Sequence, residues 1–337
     1  MRRRLLYAAL VSTFFLGLAE GAARLVLPPP PPVAGIPLQE DPDILWTLSS
    51  ADHAPPNALG LRGRDVADRN SVRGRILTLG DSSVYGDTVT DDQVFSAVAA
   101  RRLPGVDAVN GGIPGYSSVQ ASVLFGRVQP QVRADVVVIG TLWSDAAPGE
   151  ETDREHIARV RADLGRWGPV NRAFRSLQAR FALSRLVRQV MHGNLSFPSA
   201  APVNKVGWVH ADESLPLGTF SRVPVGEYTD NLRALVADVR PDALPVLLLL
   251  PHPLDDLHRA LPERLQVYRT AMRGVAEELD VPLVDGQAWF TTHPSPTSRF
   301  ADDIHPNAQG HAEIAEALLS VVTGDPVLSR RLGQGAR

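Results

Sequence analysis

Five short apolar runs between residues 75 and 284 leave this chain little choice of architecture. They are Arg75 to Leu79 (RILTL), Val106 to Val109, Asp135 to Gly140 (DVVVIG), Pro245 to Leu250 (PVLLLL) and Val281 to Val284. They read as continuous apolar runs rather than alternations, the pattern of parallel strands covered on both faces. Helix-like stretches lie between and after them: roughly Val94 to Arg102, Val119 to Gln129, Val225 to Arg240, Pro262 to Leu279 and Asn307 to Val322. Strand, helix, strand repetition predicts an α/β fold with an open, doubly wound, five-stranded parallel sheet. Ligands in such sheets bind beyond the carboxyl ends of the strands. Chemistry is therefore expected after Leu79, Val109, Gly140, Leu250 and Val284.

The 337 residues suit one large domain with an N-terminal appendage. A formal net charge of -3 gives no electrostatic reason to expect nucleic-acid binding. Cysteine is absent, which removes disulfides, thiolate metal sites and a cysteine nucleophile together. The nine histidines lack the close pairing of a metal site, and no nucleotide-binding glycine motif follows a strand in the right form. No cofactor and no metal are expected.

Arg2 to Arg4 precede an apolar run from Leu5 to Ala19, which Glu20 interrupts before the run resumes to Leu27 with Arg24 inside it. A helix over the first run reaches about 22 Å, and one continuing to Leu27 reaches about 34 Å, against roughly 30 Å of bilayer hydrocarbon. Residues 1–27 are expected to be a signal peptide, cut after Ala23, or a membrane anchor with its basic end in the cytoplasm. Either fate places the folded part outside the cytoplasm, at the cell membrane or released from it. Pro28 to Pro32 then predict a stiff polyproline spacer within a linker over 28–40.

The folded domain is expected over 41–325, with a tail over 326–337. One stretch, about 147–224, breaks the strand–helix alternation. At its centre, Val170 to Met191 place Val170, Phe174, Leu177, Phe181, Val187 and Val190 on or near one helical face, with five arginines largely outside it. Such a helix docks on the domain, covers an acyl pocket as a lid, or lies on an anionic membrane surface.

Three blocks carry chemistry. Gly80-Asp81-Ser82-Ser83 follows the first strand and exposes a serine hydroxyl on a sharp turn, where a base can activate it. Asn110 to Ser117 (NGGIPGYS) follows the second strand, and its glycines let backbone N–H groups approach a developing oxyanion. Asp302-Asp303-Ile304-His305-Pro306 precedes the last helix; a histidine can take the serine proton while a carboxylate three residues upstream orients its ring. His252, between two prolines after the fourth strand, is either a loop residue or part of the pocket lining.

Taken in order, these blocks resemble the SGNH hydrolase superfamily, the GDSL-like lipases and esterases. Asn57-Ala58-Leu59-Gly60-Leu61-Arg62-Gly63 upstream and Tyr228 to Leu232 downstream are similar to family segments as well, so the resemblance spans roughly 41–322. It implies a flavodoxin-like, three-layer α/β/α fold with a helical insertion. It makes Ser82 the nucleophile, His305 the base and Asp302 its orienter, with Asp303 a minor alternative. The oxyanion donors would be the N–H groups of Ser82 and Gly115, Gly112 being the lesser choice.

The third family block departs from the pattern. Where members carry Gly-x-Asn-Asp, this chain has Gly140-Thr141-Leu142-Trp143-Ser144-Asp145. Aligning the aspartate puts Ser144 at the asparagine position, with a shorter, rotatable donor; aligning Gly140 puts Leu142 there and leaves none. The resemblance implies ester hydrolysis through an acyl-enzyme, on acyl or acetyl esters of envelope carbohydrates or lipids. O-acyl transfer with the same triad, and a non-catalytic carbohydrate-binding or assembly module on the same fold, are the alternatives.

Overall fold

The computed structural model describes residues 2–26, 38–49, 56–149, 151–163, 220–295 and 297–334. The chain divides into two compact units, residues 1–35 with 159–204 and residues 36–158 with 205–337. In the first, helix α1 covers Arg2–Val26. Among the described residues no helix is long and apolar enough to cross a membrane, so the anchor expected over 1–27 is without structural support. The proline run and the amphipathic helix expected over Val170 to Met191 lie outside the described residues.

The second unit opens with a hairpin, β1 (Leu38–Asp41) and β2 (Leu45–Leu48), paired antiparallel. Its turn is held by Asp41, whose carboxylate accepts the N–H groups of Asp43 (2.9 Å) and Ile44 (3.2 Å). Then follow β3 (Gly74–Gly80), α2 (Ser82–Tyr85), α3 (Phe95–Arg102), β4 (Val106–Gly112), α4 (Ser118–Val132), β5 (Val136–Gly140) and α5 (Trp143–Ala146). A two-residue pair, β6 (Pro148–Gly149) and β7 (Phe220–Ser221), brackets the insertion, which starts with α6 (Asp153–Asp163). The remaining elements are α7 (Val225–Val239), β8 (Leu244–Leu249), α8 (Pro253–Asp256), α9 (Glu263–Glu278), β9 (Leu283–Asp285), α10 (Gly286–Thr292), α11 (Ala308–Gly324) and α12 (Pro326–Arg331).

The five expected strands form one parallel sheet in the order β4-β3-β5-β8-β9, the doubly wound arrangement read from the sequence. Its inner strands are apolar because both faces are covered: Ile76, Leu77, Leu79, Val136, Val137, Leu247 and Leu248 are all fully buried. α3 packs on α11, and α7 packs on both α4 and α9, supplying the helical layers. Beyond residue 325, where a tail was expected, α12 forms and buries Leu328 and Leu332.

Two features of the sheet position the site. Gly80 at the end of β3 is in register with Gly112 of β4 and Gly140 of β5, so three strands stop at one level. The chain reverses direction across β3, and the loops leaving these strands bound the crevice at that switch point. At the opposite end, the buried Arg75 guanidinium bonds to Asp107, while its backbone N–H bonds to Asp135 at 2.9 Å. That pairing ties the starts of β3, β4 and β5 together.

Candidate active site

Ser82 stands two residues past the end of β3, at the first position of α2. The turn is tight. A Cβ on Gly80 would lie 2.4 Å from Val84 and 2.5 Å from the Gly140 carbonyl, so only glycine lets the strand end so close to its neighbour. Asp81 caps the helix by accepting the Ser83 N–H at 2.9 Å, and Gly86, at φ +86°, ends it by donating to the Ser82 carbonyl at 2.9 Å. Four residues are thus fixed at both ends, with the Ser82 hydroxyl at the carboxyl edge of the sheet.

Residues 300 to 306 bring the His305 ring to that hydroxyl. Ala301 donates to the His305 carbonyl at 2.9 Å and closes the loop. Asp302 accepts the N–H groups of Ile304 (3.0 Å) and His305 (2.9 Å), and its carboxylate oxygens lie 2.9 and 2.7 Å from His305 Nδ1. His305 Nε2 lies 2.7 Å from Ser82 Oγ. An ionised carboxylate only accepts, so in the neutral ring Nδ1 carries the proton and Nε2 is the acceptor facing the serine. Burial alone would raise the Asp302 pKa, but the bond from His305 and the two backbone N–H groups outweigh it and hold the carboxyl below its usual range. Asp302, rather than Asp303, makes these contacts.

The glycine block divides into two roles. A Cβ on Gly112 would sit 2.3 Å from the Tyr85 backbone nitrogen, and the Gly112 N–H is taken by the Asn110 side chain at 2.9 Å. Gly112 therefore lets β4 approach α2, and its N–H is occupied. Gly115 has φ +80° and lies against Trp46, and its N–H is bonded to nothing among the described residues. Of the two glycines, Gly115 has the N–H available to an oxyanion.

Ser144 lies in α5, immediately past β5, almost fully buried. The backbone N–H groups of Ser144 and Trp143 face the Asp81 carboxylate, which brings the irregular third block to the same end of the sheet as Ser82. Leu142 is fully buried and offers no donor. Asp145 points elsewhere: it accepts the N–H (2.9 Å) and hydroxyl (2.6 Å) of Ser118 at the start of α4. Burial pushes the Asp81 carboxyl up to about 6 and that of Asp145 up to about 7, against their hydrogen bonds.

His252 caps α8, accepting the Leu254 N–H at 3.1 Å, and only 1% of it is exposed. Burial, helped by the Arg269 charge, drops its pKa to about 4, so it stays neutral and serves the fold. The Asn57 to Gly63 segment acquires a role that sequence alone did not give it. Arg62 donates to the carbonyls of Tyr85 (3.0 Å) and Gly86 (2.6 Å) and so braces the end of α2. Trp46 and Arg222 were also missed: Trp46 Nε1 donates to the Pro114 carbonyl at 3.0 Å, and Arg222 Nη1 donates to the Gly115 carbonyl at 2.8 Å. The one sequence hint of Trp46 is the Asp41-Pro42-Asp43 turn just before it.

Residues 78–313 match the sequence model of the GDSL-like Lipase/Acylhydrolase family. The chain belongs to that family. It is accordingly a carboxylic ester hydrolase, and the doubly wound sheet is the fold the resemblance implied. No curated protein gives a significant match.

Among solved structures, LAE5, an alpha/beta hydrolase enzyme from the metagenome of Lake Arreo, is 18% identical over 79% of this chain and 98% of that one, at a TM-score of 0.46. A mutant of Axe2, an acetyl-xylooligosaccharide esterase from Geobacillus, is 18% identical over 75% and 95%, at 0.45. A member of the lipolytic protein G-D-S-L family from Veillonella parvula is 14% identical over 74% and 98%, also at 0.45. Membership rests on the matched stretch of sequence, and these distant likenesses add nothing on substrate.

Proposed function

We propose that this family member hydrolyses acyl or acetyl esters of envelope carbohydrates or lipids through an acyl-enzyme on Ser82. The observation that carries the reading is the unbroken relay Ser82 Oγ to His305 Nε2 at 2.7 Å and His305 Nδ1 to Asp302 at 2.7 Å. His305 takes the Ser82 proton as Oγ attacks the ester carbonyl carbon. The oxyanion that forms is met by the Ser82 and Gly115 N–H groups and by the Ser144 hydroxyl. Collapse expels the alcohol, which leaves with the proton from His305. Water then repeats the sequence on the acyl-enzyme and frees the acid and Ser82. Asp302 stabilises the imidazolium formed in both halves.

The basic and then apolar residues 2–27 support a location outside the cytoplasm, with the chain held at the membrane or released by cleavage. Fractionation of cells with N-terminal sequencing of the recovered protein decides between the two.

Treatment of the full-length protein with a fluorophosphonate is expected to label Ser82, with labelling lost in Ser82→Ala and weakened in His305→Ala. An unlabelled protein that leaves short p-nitrophenyl esters intact refutes the reading. Adding a sugar acceptor tests acyl transfer directly: an acylated sugar in place of free acid moves the proposal from hydrolase to transferase.

A further inference from the structure

The catalytic reading gives Gly115 a backbone N–H that must point at the oxyanion, and a lone glycine at φ +80° does not hold such a direction by itself. The peptide unit that carries this N–H is the one joining Pro114 to Gly115. In a planar trans peptide the Pro114 carbonyl and the Gly115 N–H belong to one rigid plate and point in opposite directions. Whatever grips the carbonyl therefore aims the N–H.

The grip is the indole of Trp46. Its Nε1 donates to the Pro114 carbonyl at 3.0 Å, across 68 positions of sequence. The indole is itself fixed. The Tyr116 hydroxyl donates to the Trp46 carbonyl at 2.5 Å, and the Arg222 guanidinium lies 5.7 Å from the centre of the indole. A Cβ on Gly115 would come to 3.0 Å from Trp46 Cζ2, so ring and loop are in direct contact. The hairpin carrying Trp46 is fastened to α4: Arg127 bonds to Asp41 at 2.7 and 2.9 Å and to Asp43 at 2.8 Å, and Gln120 bonds to the Ile44 carbonyl at 2.9 Å.

Arg222 closes the arrangement from the other side. It holds the next carbonyl, that of Gly115, at 2.8 Å while bonded to Asp153 at 2.9 and 2.8 Å. Both carbonyls flanking the candidate oxyanion N–H are thus occupied by donors from distant parts of the chain. A donor on the carbonyl of a peptide also polarises it, which strengthens the N–H on its far side.

We propose that Trp46 is a positioning residue for ester hydrolysis, its indole N–H holding the Pro114 carbonyl so that the Gly115 N–H faces the oxyanion. This rests on the reading of Ser82, His305 and Gly115 given above. Trp46 touches no reacting atom; it acts through one peptide plane. Its removal is felt in the transition state, where the oxyanion exists, and little in ground-state binding.

The test uses the full-length protein with Trp46→Phe, and with benzothienylalanine at position 46, which keeps the bicyclic shape and replaces the N–H by sulfur. Expected for both is a fall in kcat on p-nitrophenyl acetate of roughly 10- to 100-fold, somewhat less than outright loss of an oxyanion donor. KM should stay within about twofold, and affinity for a trifluoromethyl ketone, which forms an anionic tetrahedral adduct, should fall by about the same factor as kcat/KM. The midpoint of the rate–pH curve should not move, since the base is untouched. The isostere keeps the packing and so separates this role from a folding defect in the phenylalanine variant. Wild-type kcat in the isostere, a loss confined to KM, or lost turnover with full ketone affinity each overturns the inference while Ser82→Ala is inactive. Retained turnover in Ser82→Ala overturns the catalytic reading itself.

Discussion

The hydroxyl of Ser83 donates to the carbonyl of Ile304 at 3.2 Å, so the neighbour of Ser82 holds the neighbour of His305. Thr88 Oγ1 repeats the contact one step along, donating to the Pro306 carbonyl at 2.7 Å. The carbonyls on either side of His305 are therefore both held from the segment that carries Ser82, and the 2.7 Å approach of Nε2 to Oγ is built into the backbone. A net hydrogen bond of this kind is worth about 1 kcal/mol. Replacing both hydroxyls, as Ser83→Ala with Thr88→Val, is expected to lower kcat several-fold while KM changes little. Steady-state kinetics beside a thermal melt checks this, and an unchanged kcat refutes it.

Gly112 and Gly115 should separate folding from rate. Gly112→Ala drives a methyl to 2.3 Å from the Tyr85 backbone nitrogen, where no side chain can give way. Gly115→Ala meets the rim of Trp46 at 3.0 Å and requires φ +80°, a conformation costing roughly 1–2 kcal/mol for alanine. The first substitution is expected to abolish soluble folded protein. The second should leave a folded protein of lowered stability whose kcat falls at least as far as that of the Trp46 variants. Circular dichroism and turnover measured on the same samples distinguish the two.

With the aspartates aligned, Ser144 takes the place of the family's asparagine amide. If its hydroxyl meets the oxyanion, Ser144→Ala loses a donor worth up to about 3 kcal/mol, and turnover drops tenfold or more. Ser144→Asn restores the amide and is expected to raise kcat above wild type. Equal rates in all three proteins would remove residue 144 from the oxyanion site.

The pH dependence of stability carries opposed contributions. Asp302 is held below its usual range, so its contribution is present above the ordinary carboxylate pKa and is lost as pH falls through the lowered one. Asp81 and Asp145 run the other way. Raised to about 6 and about 7, they bind protons more tightly folded than unfolded, and each costs stability as pH climbs from about 4 to those values. Asp145→Asn removes that cost while keeping an oxygen for the Ser118 N–H. Its melting temperature relative to wild type should be higher at pH 8 than at pH 5. A difference independent of pH contradicts the assignment.

The sheet was legible because each of its strands is buried on both faces, and that condition writes itself as an uninterrupted apolar run. The expected Arg75 to Leu79 and Val106 to Val109 are Gly74–Gly80 and Val106–Gly112 in the structure, extended by glycines and Asn110, which carry no apolar signal. Ser82, Asp302 and His305 were legible because the helix cap and the loop around each are local, and local geometry survives in short motifs. Trp46 and Arg222 were not. Their contacts with residues 114 and 115 span 68 and 107 positions, and a hairpin with two four-residue strands is too short to show a period. Asp81 was quoted in its motif, yet its burial beside Ser144 depends on two strands ending level, which no single segment records.

The hairpin Leu38–Leu48 lies wholly upstream of residue 78, where the match to the family model begins, and still forms a wall of the loop holding Gly115. The structure around the candidate site therefore extends beyond the stretch that the family model matches. A designer who grafts only that stretch into another scaffold transplants Ser82 and His305 but leaves behind the indole that grips the Pro114 carbonyl.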